Sequence, residues 1–187
     1  MSPVNTTGWL PGAYNINAVF TGTVNCNPSA NSAPLAVAQP GNVAFGGGYY
    51  TLPSSGRVEF GFAVGKTNSQ CNLNCTYKGQ LLLENDGKWM SKGLLNSYSK
   101  LGSGKAVSTG VGSLYWWKAS LNNGHGGWVL AAQSVNFTIN FFDSNKPPKS
   151  STDSFGITIQ YTPVSPQPAI LPNSGLTILK GGDIVVK

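Results

Sequence analysis

Residues 135–141 and 155–161 alternate apolar and polar side chains with a period of two. In the first stretch Val135, Phe137, Ile139 and Phe141 point one way and Asn136, Thr138 and Asn140 the other. That is the pattern of a β-strand with one buried and one wet face. In the second, Phe155, Ile157 and Ile159 take the buried side. The wet face is built from Thr and Asn rather than Lys and Glu, which suits a surface that contacts something.

The same reading predicts strands over residues 14–24, 49–52, 57–64, 78–84, 88–94, 114–119 and 128–132. Pro53-Ser54-Ser55-Gly56 reads as a turn between two of them. Asn85-Asp86-Gly87 is the stronger hairpin signal, because the turn it favours needs positive φ and matches the twist of the flanking strands. Residues 27–34 read as a loop from their Asn, Pro, Ser and Ala content. Residues 105–108 read as a short strand beside a Gly-rich turn at Gly110 and Gly112.

No amphipathic helix longer than two turns is present. About eight to eleven short strands separated by Gly, Pro, Asn and Ser predict an all-β protein, an antiparallel β-sandwich or jelly-roll-like fold with Greek-key connections. Residues 1–42 belong to the same domain and contribute one strand. Residues 43–162 form the sandwich core, 163–175 a Pro-rich connector, and 176–187 one or two C-terminal strands.

That tail follows a connector carrying Pro163, Pro166, Pro168 and Pro172, which cannot donate enough amides to sit inside a sheet. Its apolar residues, among them Leu176, Ile178, Ile184 and Val186, would form an aggregation-prone edge if left free. They either fold back on the parent sandwich or complete a neighbouring subunit by strand addition. The stiff connector favours the intermolecular choice.

Composition narrows the function. The chain has 187 residues, enough for one domain with a real core, and only 10% are charged. Eleven Lys and one Arg against six acids give a net charge of +6. The lysines are scattered singly and Arg57 is alone, so no nucleic-acid patch forms. No apolar run approaches the roughly 18 residues of a membrane span.

Low charge, 24 Gly and three Cys suit an extracellular or cell-surface protein whose signal peptide is not in this chain. Cys71 and Cys75 can bridge a loop, or one of them can pair with Cys26. Zinc would need these cysteines and His125 to converge from distant segments, which the spacing does not favour.

Three chemistries have candidate residues. Trp116 and Trp117 are adjacent on a strand and must face opposite ways, one inward and one outward. The outward ring, with Trp128 and His125 of the Asn/Gly loop 122–127, would make a sugar-stacking surface; core packing is the alternative for each Trp. Asp143, Asn145 and Asp153 bracket a loop and can offer oxygens to Ca2+, the one cofactor the sequence suggests. Lys146 and Lys149 oppose that reading and favour a turn or strand-end cap. The six acids form no paired motif of a glycosidase, and His125 is the only imidazole.

Gly46-Gly47-Gly48, Gly56 through Phe60-Gly61-Phe62, Phe141-Phe142-Asp143 and Asp153-Ser154-Phe155-Gly156-Ile157-Thr158-Ile159 resemble the post-COAP-type domains. The resemblance spans residues 43–161. It implies an appended or repeated extracellular β-sandwich of exported proteins, without established catalytic residues. The loop between the aspartates contains Gly in that family, whereas here it is Ser144-Asn145-Lys146-Pro147-Pro148-Lys149.

Together these features predict a non-catalytic, exported cell-surface, matrix or fibre subunit that associates with itself or with other surface proteins through strand exchange. A carbohydrate-binding module that takes polysaccharide is the alternative. An extracellular enzyme comes third.

Overall fold

The computed structural model describes residues 5–10, 12–25, 29–37, 42–53, 56–67, 75–86, 88–118, 120, 127–144, 152–161 and 174–187. Twelve strands form among them and no helix: β1 Gly12–Phe20, β2 Ser29–Val37, β3 Asn42–Leu52, β4 Gly56–Lys66, β5 Tyr77–Asn85, β6 Trp89–Leu95, β7 Ser99–Gly102, β8 Lys105–Lys118, β9 Gly127–Phe142, β10 Ser154–Gln160, β11 Ser174–Ile178 and β12 Gly181–Val186. All pairings are antiparallel. None of the described residues forms a helix long and apolar enough to cross a membrane.

One curled sheet runs β11-β10-β9-β8-β6-β5-β4-β3-β12, with β7 beside β8, and β1-β2 form a separate hairpin. From β3 to β10 the chain meanders. The Greek-key connections expected from the sequence reduce to one long-range step, which places β12 beside β3. The sheet folds over so that its inner faces meet. Phe60 of β4 stacks on Phe155 of β10 at 4.0 Å between ring centroids, although four strands separate them along the sheet. Phe62 packs on Phe141 at 4.8 Å. This inward contact makes the fold sandwich-like.

The alternation over residues 135–161 places side chains as predicted. Phe137, Ile139, Phe155, Ile157 and Ile159 are buried, Asn136 is exposed, and Thr138 and Asn140 are half-buried. Asp86 adopts φ 36°, the positive value its turn requires.

Three local readings change. Residues 29–37, expected to begin as a loop, form β2, because pairing with β1 satisfies their backbone despite weak propensity. Pro34 is tolerated there because β2 pairs on one side only, so its missing amide disrupts no second ladder. Residues 105–118 form one long strand rather than a short strand and a turn. Gly110 lies inside it because a Cβ there would sit 2.5 Å from Cε2 of Phe137, whose ring covers that position. The predicted strands 128–132 and 135–141 are halves of β9, which continues through an irregular Ser134 at φ 55°.

The C-terminal residues pair within their own chain, which corrects the intermolecular expectation. β11 joins β10 and, two residues on, β12 joins β3. The crossing is held by Leu179 N donating to Asp153 O and Lys180 N donating to Tyr49 O, both at 2.9 Å. Ile184 and Val186 enter the core, while Leu176 and Ile178 of β11 stay exposed. Of the connector expected at 163–175, residues 163–173 lie outside the described residues, and Ser174 and Gly175 already belong to β11.

Buried carboxylates on the far side of β12 decide this outcome. Asp143 Oδ2 accepts from Val186 N at 3.0 Å, and Asp153 Oδ2 accepts from Ile184 N at 2.9 Å. Asp153 Oδ1 also accepts from Ser144 N and Oγ, both at 3.0 Å. The edge amides of β12 are thus satisfied by carboxylates instead of another strand, a form of edge protection. Asp153→Asn, which turns one acceptor into a donor, is expected to lower folding stability by about 2–3 kcal/mol in urea denaturation. Hydrogen exchange at Ile184 should accelerate with it. An unchanged midpoint would mean these bonds do not hold β12.

Candidate functional site: a groove beside the β1-β2 hairpin

Residues alternate across β4, β5 and β6, so each inward core residue has outward neighbours. Phe60 and Phe62 point in, while Glu59, Gly61 and Ala63 point out. Gly61 is where the β1-β2 hairpin lands: a Cβ there would lie 3.3 Å from Pro34 Cβ and from the Leu35 carbonyl carbon. The absent side chain lets β2 lie flat on β4, and it explains why outward Ala63 is only 2% exposed. Gln80 Oε1 accepts from Ala13 N at 3.1 Å and ties β1 to β5.

The hairpin covers only part of the outer face. Beyond it a groove of about 1690 Å³ crosses β5, β6 and β8, lined along one side by Ala13, Asn15, Asn17 and Val19 of β1. Leu82, Met90, Leu94 and Val111 give it an apolar floor. Glu59, Glu84, Asp86 and Lys92 add charge, and Ser113 and Asn136 add neutral polar groups.

Trp117 of β8 and Trp128 of β9 line the side away from β1. They are cross-strand partners with ring centroids 5.3 Å apart and planes at 76°, an edge-to-face pair. Trp117 is 43% exposed and Trp128 half-buried. Trp116 faces inward and packs against the core, as adjacency on a strand requires. It therefore does not join Trp117 in a stacking surface. Trp89 is buried in the core.

The carboxylates come together by register, a pairing that sequence reading alone misses. Glu59 lies directly opposite Glu84 across β4 and β5. Arg57 Nη2 bonds Glu59 Oε1 at 2.7 Å, and its guanidinium lies 3.9 Å from the Tyr49 ring centroid. Asp86 Oδ2 accepts from Arg57 N at 3.0 Å, and Asn85 Nδ2 donates to Arg57 O at 2.8 Å, so the β5-β6 turn is pinned to β4. Lys92 Nζ lies 5.0 Å from the Tyr115 ring centroid. The only hint of this cluster in the sequence is that each acid sits near a predicted turn.

Two phenols are shifted, and neither lines the groove. Burial pushes Tyr50 up to about 12. Burial, then the neighbouring Tyr77, raises Tyr98.

The other sequence candidates fall elsewhere. His125, Asn145, Cys26 and Cys71 lie outside the described residues. Cys75 is disulfide-bonded. Asp143 and Asp153 do converge, but as acceptors for backbone amides along the edge of β12; a Ca2+ ion would have to displace those bonds. No group of three or more His, Cys, Asp or Glu among the described residues is placed to hold a metal. No protein-family model matches the chain, and neither does a curated protein or a solved structure.

Proposed function

We propose that this chain is a non-catalytic module of an exported, cell-surface or matrix protein, and that its outer-face groove binds a polysaccharide chain. The observation that carries the reading is Trp117, an exposed indole held on β8 and lining the groove. A pyranose has one apolar C–H face and a rim of hydroxyls. It fits an aromatic ring flanked by amide, hydroxyl and carboxylate groups on an otherwise apolar floor.

A groove of about 1690 Å³ is larger than the roughly 300–1,000 Å³ of a small-molecule pocket, which suits a stretch of a polymer. The disulfide at Cys75 agrees with an oxidising compartment. The resemblance to post-COAP-type modules points the same way. Glycosidic hydrolysis would need two carboxylates working on one bond. Glu59 is instead held by Arg57, and Asp86 by the Arg57 amide, which supports binding without chemistry.

Trp117→Ala should weaken retention on an insoluble polysaccharide about tenfold or more. Folding stability should fall by no more than about 3 kcal/mol, since the partly buried indole loses apolar burial and its edge-to-face contact with Trp128 while the inner core stays intact. Pull-down across a panel of polysaccharides, paired with thermal melts, checks both. Equal retention of the two proteins, or no binding to any glycan, would remove the reading.

A further inference from the structure

We infer that the groove takes a single, separated polysaccharide chain, lodged between Trp117 and the carboxamides of Asn15 and Asn17, and not the flat face of a crystalline polysaccharide. The inference rests on the glycan reading above and adds the physical form of the ligand.

A crystalline polysaccharide presents many sugar rings in one plane. Gripping it takes several exposed aromatic rings in a matching plane, with nothing standing above them. The groove has neither property. Trp117 and Trp128, the indoles that line it, lie with their planes at 76°, so a flat surface laid on one ring cannot lie on the other. Of the two, Trp117 alone is exposed, and one ring stacks on one sugar of a chain.

The wall imposes the same limit by height. β1 belongs to an outer layer seated over β4 and β5. Face-to-face sheets stack about 10 Å apart, and closer where Gly61 lets β2 settle. The floor residues Leu82, Met90, Leu94 and Val111 belong to the inner layer, one backbone layer below β1. A flat lattice would rest on the hairpin and miss that floor. A single chain can descend beside the hairpin and reach it.

The chemistry of the wall is an independent observation. Alternation puts Ala13, Asn15, Asn17 and Val19 on one face of β1, and all four line the groove. A hairpin that served only to cover an apolar sheet would turn apolar side chains there. Asn15 and Asn17 are exposed instead, and their carboxamides have no hydrogen-bond partner among the described residues. Each offers two N–H donors and one carbonyl acceptor. Their match is the row of hydroxyls along the edge of a sugar chain. In a crystal those edge hydroxyls bond to neighbouring chains, and separation frees them.

The test presents cellulose and chitin each as a soluble hexasaccharide, an acid-swollen gel and washed crystals, beside xylan, mixed-linkage β-glucan and galactomannan in solution. Calorimetry reads the soluble probes, and depletion of the full chain from the supernatant reads the solids. At least one single-chain probe is expected to bind, about tenfold or more tightly than either crystal. The double variant Asn15→Ala, Asn17→Ala should weaken that binding about tenfold, as for two neutral hydrogen bonds, with an unchanged thermal melt.

Crystals bound within about tenfold of the best single-chain probe, or more tightly, overturn the inference and leave the glycan reading standing. Single-chain binding that the double variant leaves unchanged overturns it as well, because the chain then does not lie against β1. Binding to none of the probes removes both readings. Should the double variant fail to fold, Asn17→Ala alone and the comparison of crystals with soluble chains on the unaltered protein decide the matter.

Discussion

Removal of residues 174–187 is expected to unfold the chain rather than leave a trimmed domain. The deletion takes Leu179, Ile184 and Val186 out of the core, where they are 3%, 1% and 9% exposed. Buried aliphatic side chains of this size contribute about 1.5–3 kcal/mol each. It also strips the backbone amides from Asp143 Oδ2 and Asp153 Oδ2 and opens the edges of β3 and β10 at once. Removing one partner from a buried charged contact costs about 3–5 kcal/mol by itself. Against a typical total of about 5–15 kcal/mol, losses on this scale leave no stable fold. The truncated protein should lack a cooperative melt and near-ultraviolet circular dichroism. If it folds as a monomer with full cooperativity, β12 is dispensable, and the strand-exchange assembly suggested by the Pro-rich connector regains its basis.

The tail illustrates what sequence can and cannot convey. Its apolar pattern is legible, so its strands are predictable. Its partner is not, because the choice is made by Asp143 and Asp153 about forty and thirty residues earlier in the chain. Alternation worked where one face is buried and the other wet, as in β9 and β10. It failed for Ser29–Val37, whose residues become a strand only because β1 offers a ladder. It failed again at Gly110 and Gly112, turn-like residues that sit mid-strand because the Phe137 ring lies against the first and the Lys92–Gly93 backbone of β6 against the second.

The groove was half legible. Adjacent Trp116 and Trp117 on a strand guarantee one outward ring, and Trp117 is that ring. Nothing in the chain order reveals that Glu59 faces Glu84, since opposition is a property of register fixed by two hairpins. Nor does it reveal that a hairpin seated on Gly61 turns an open sheet face into a groove.

Phe155→Ala is expected to cost about 3–5 kcal/mol, the range for emptying a buried aromatic site. Phe155 is fully buried, and its ring lies on Phe60 with planes at 14° and within about 6.0 Å of the Tyr50 and Phe62 centroids. These partners come from β3 and β4, so the lost ring is, beside the Phe62–Phe141 pair, a contact that joins one half of the curled sheet to the other. Neighbours from both halves are anchored by their own ladders and cannot simply close the void. Urea denaturation should show the midpoint falling with an unchanged slope, as for a loss of packing without a change in the surface exposed on unfolding. Phe155→Leu, which retains most of the volume, should lose less. The site supplies an independent check. Phe60 points inward from the strand that presents Glu59 to the groove, so both faces of β4 share one backbone. Well below its lowered midpoint, Phe155→Ala should still bind glycan as the unaltered protein does, because the groove floor is held by β5, β6 and β8. A loss under about 1 kcal/mol would mean the two halves of the sheet do not meet at this ring. Binding lost in a folded variant would show that the groove depends on the inner stack rather than on the outer strands.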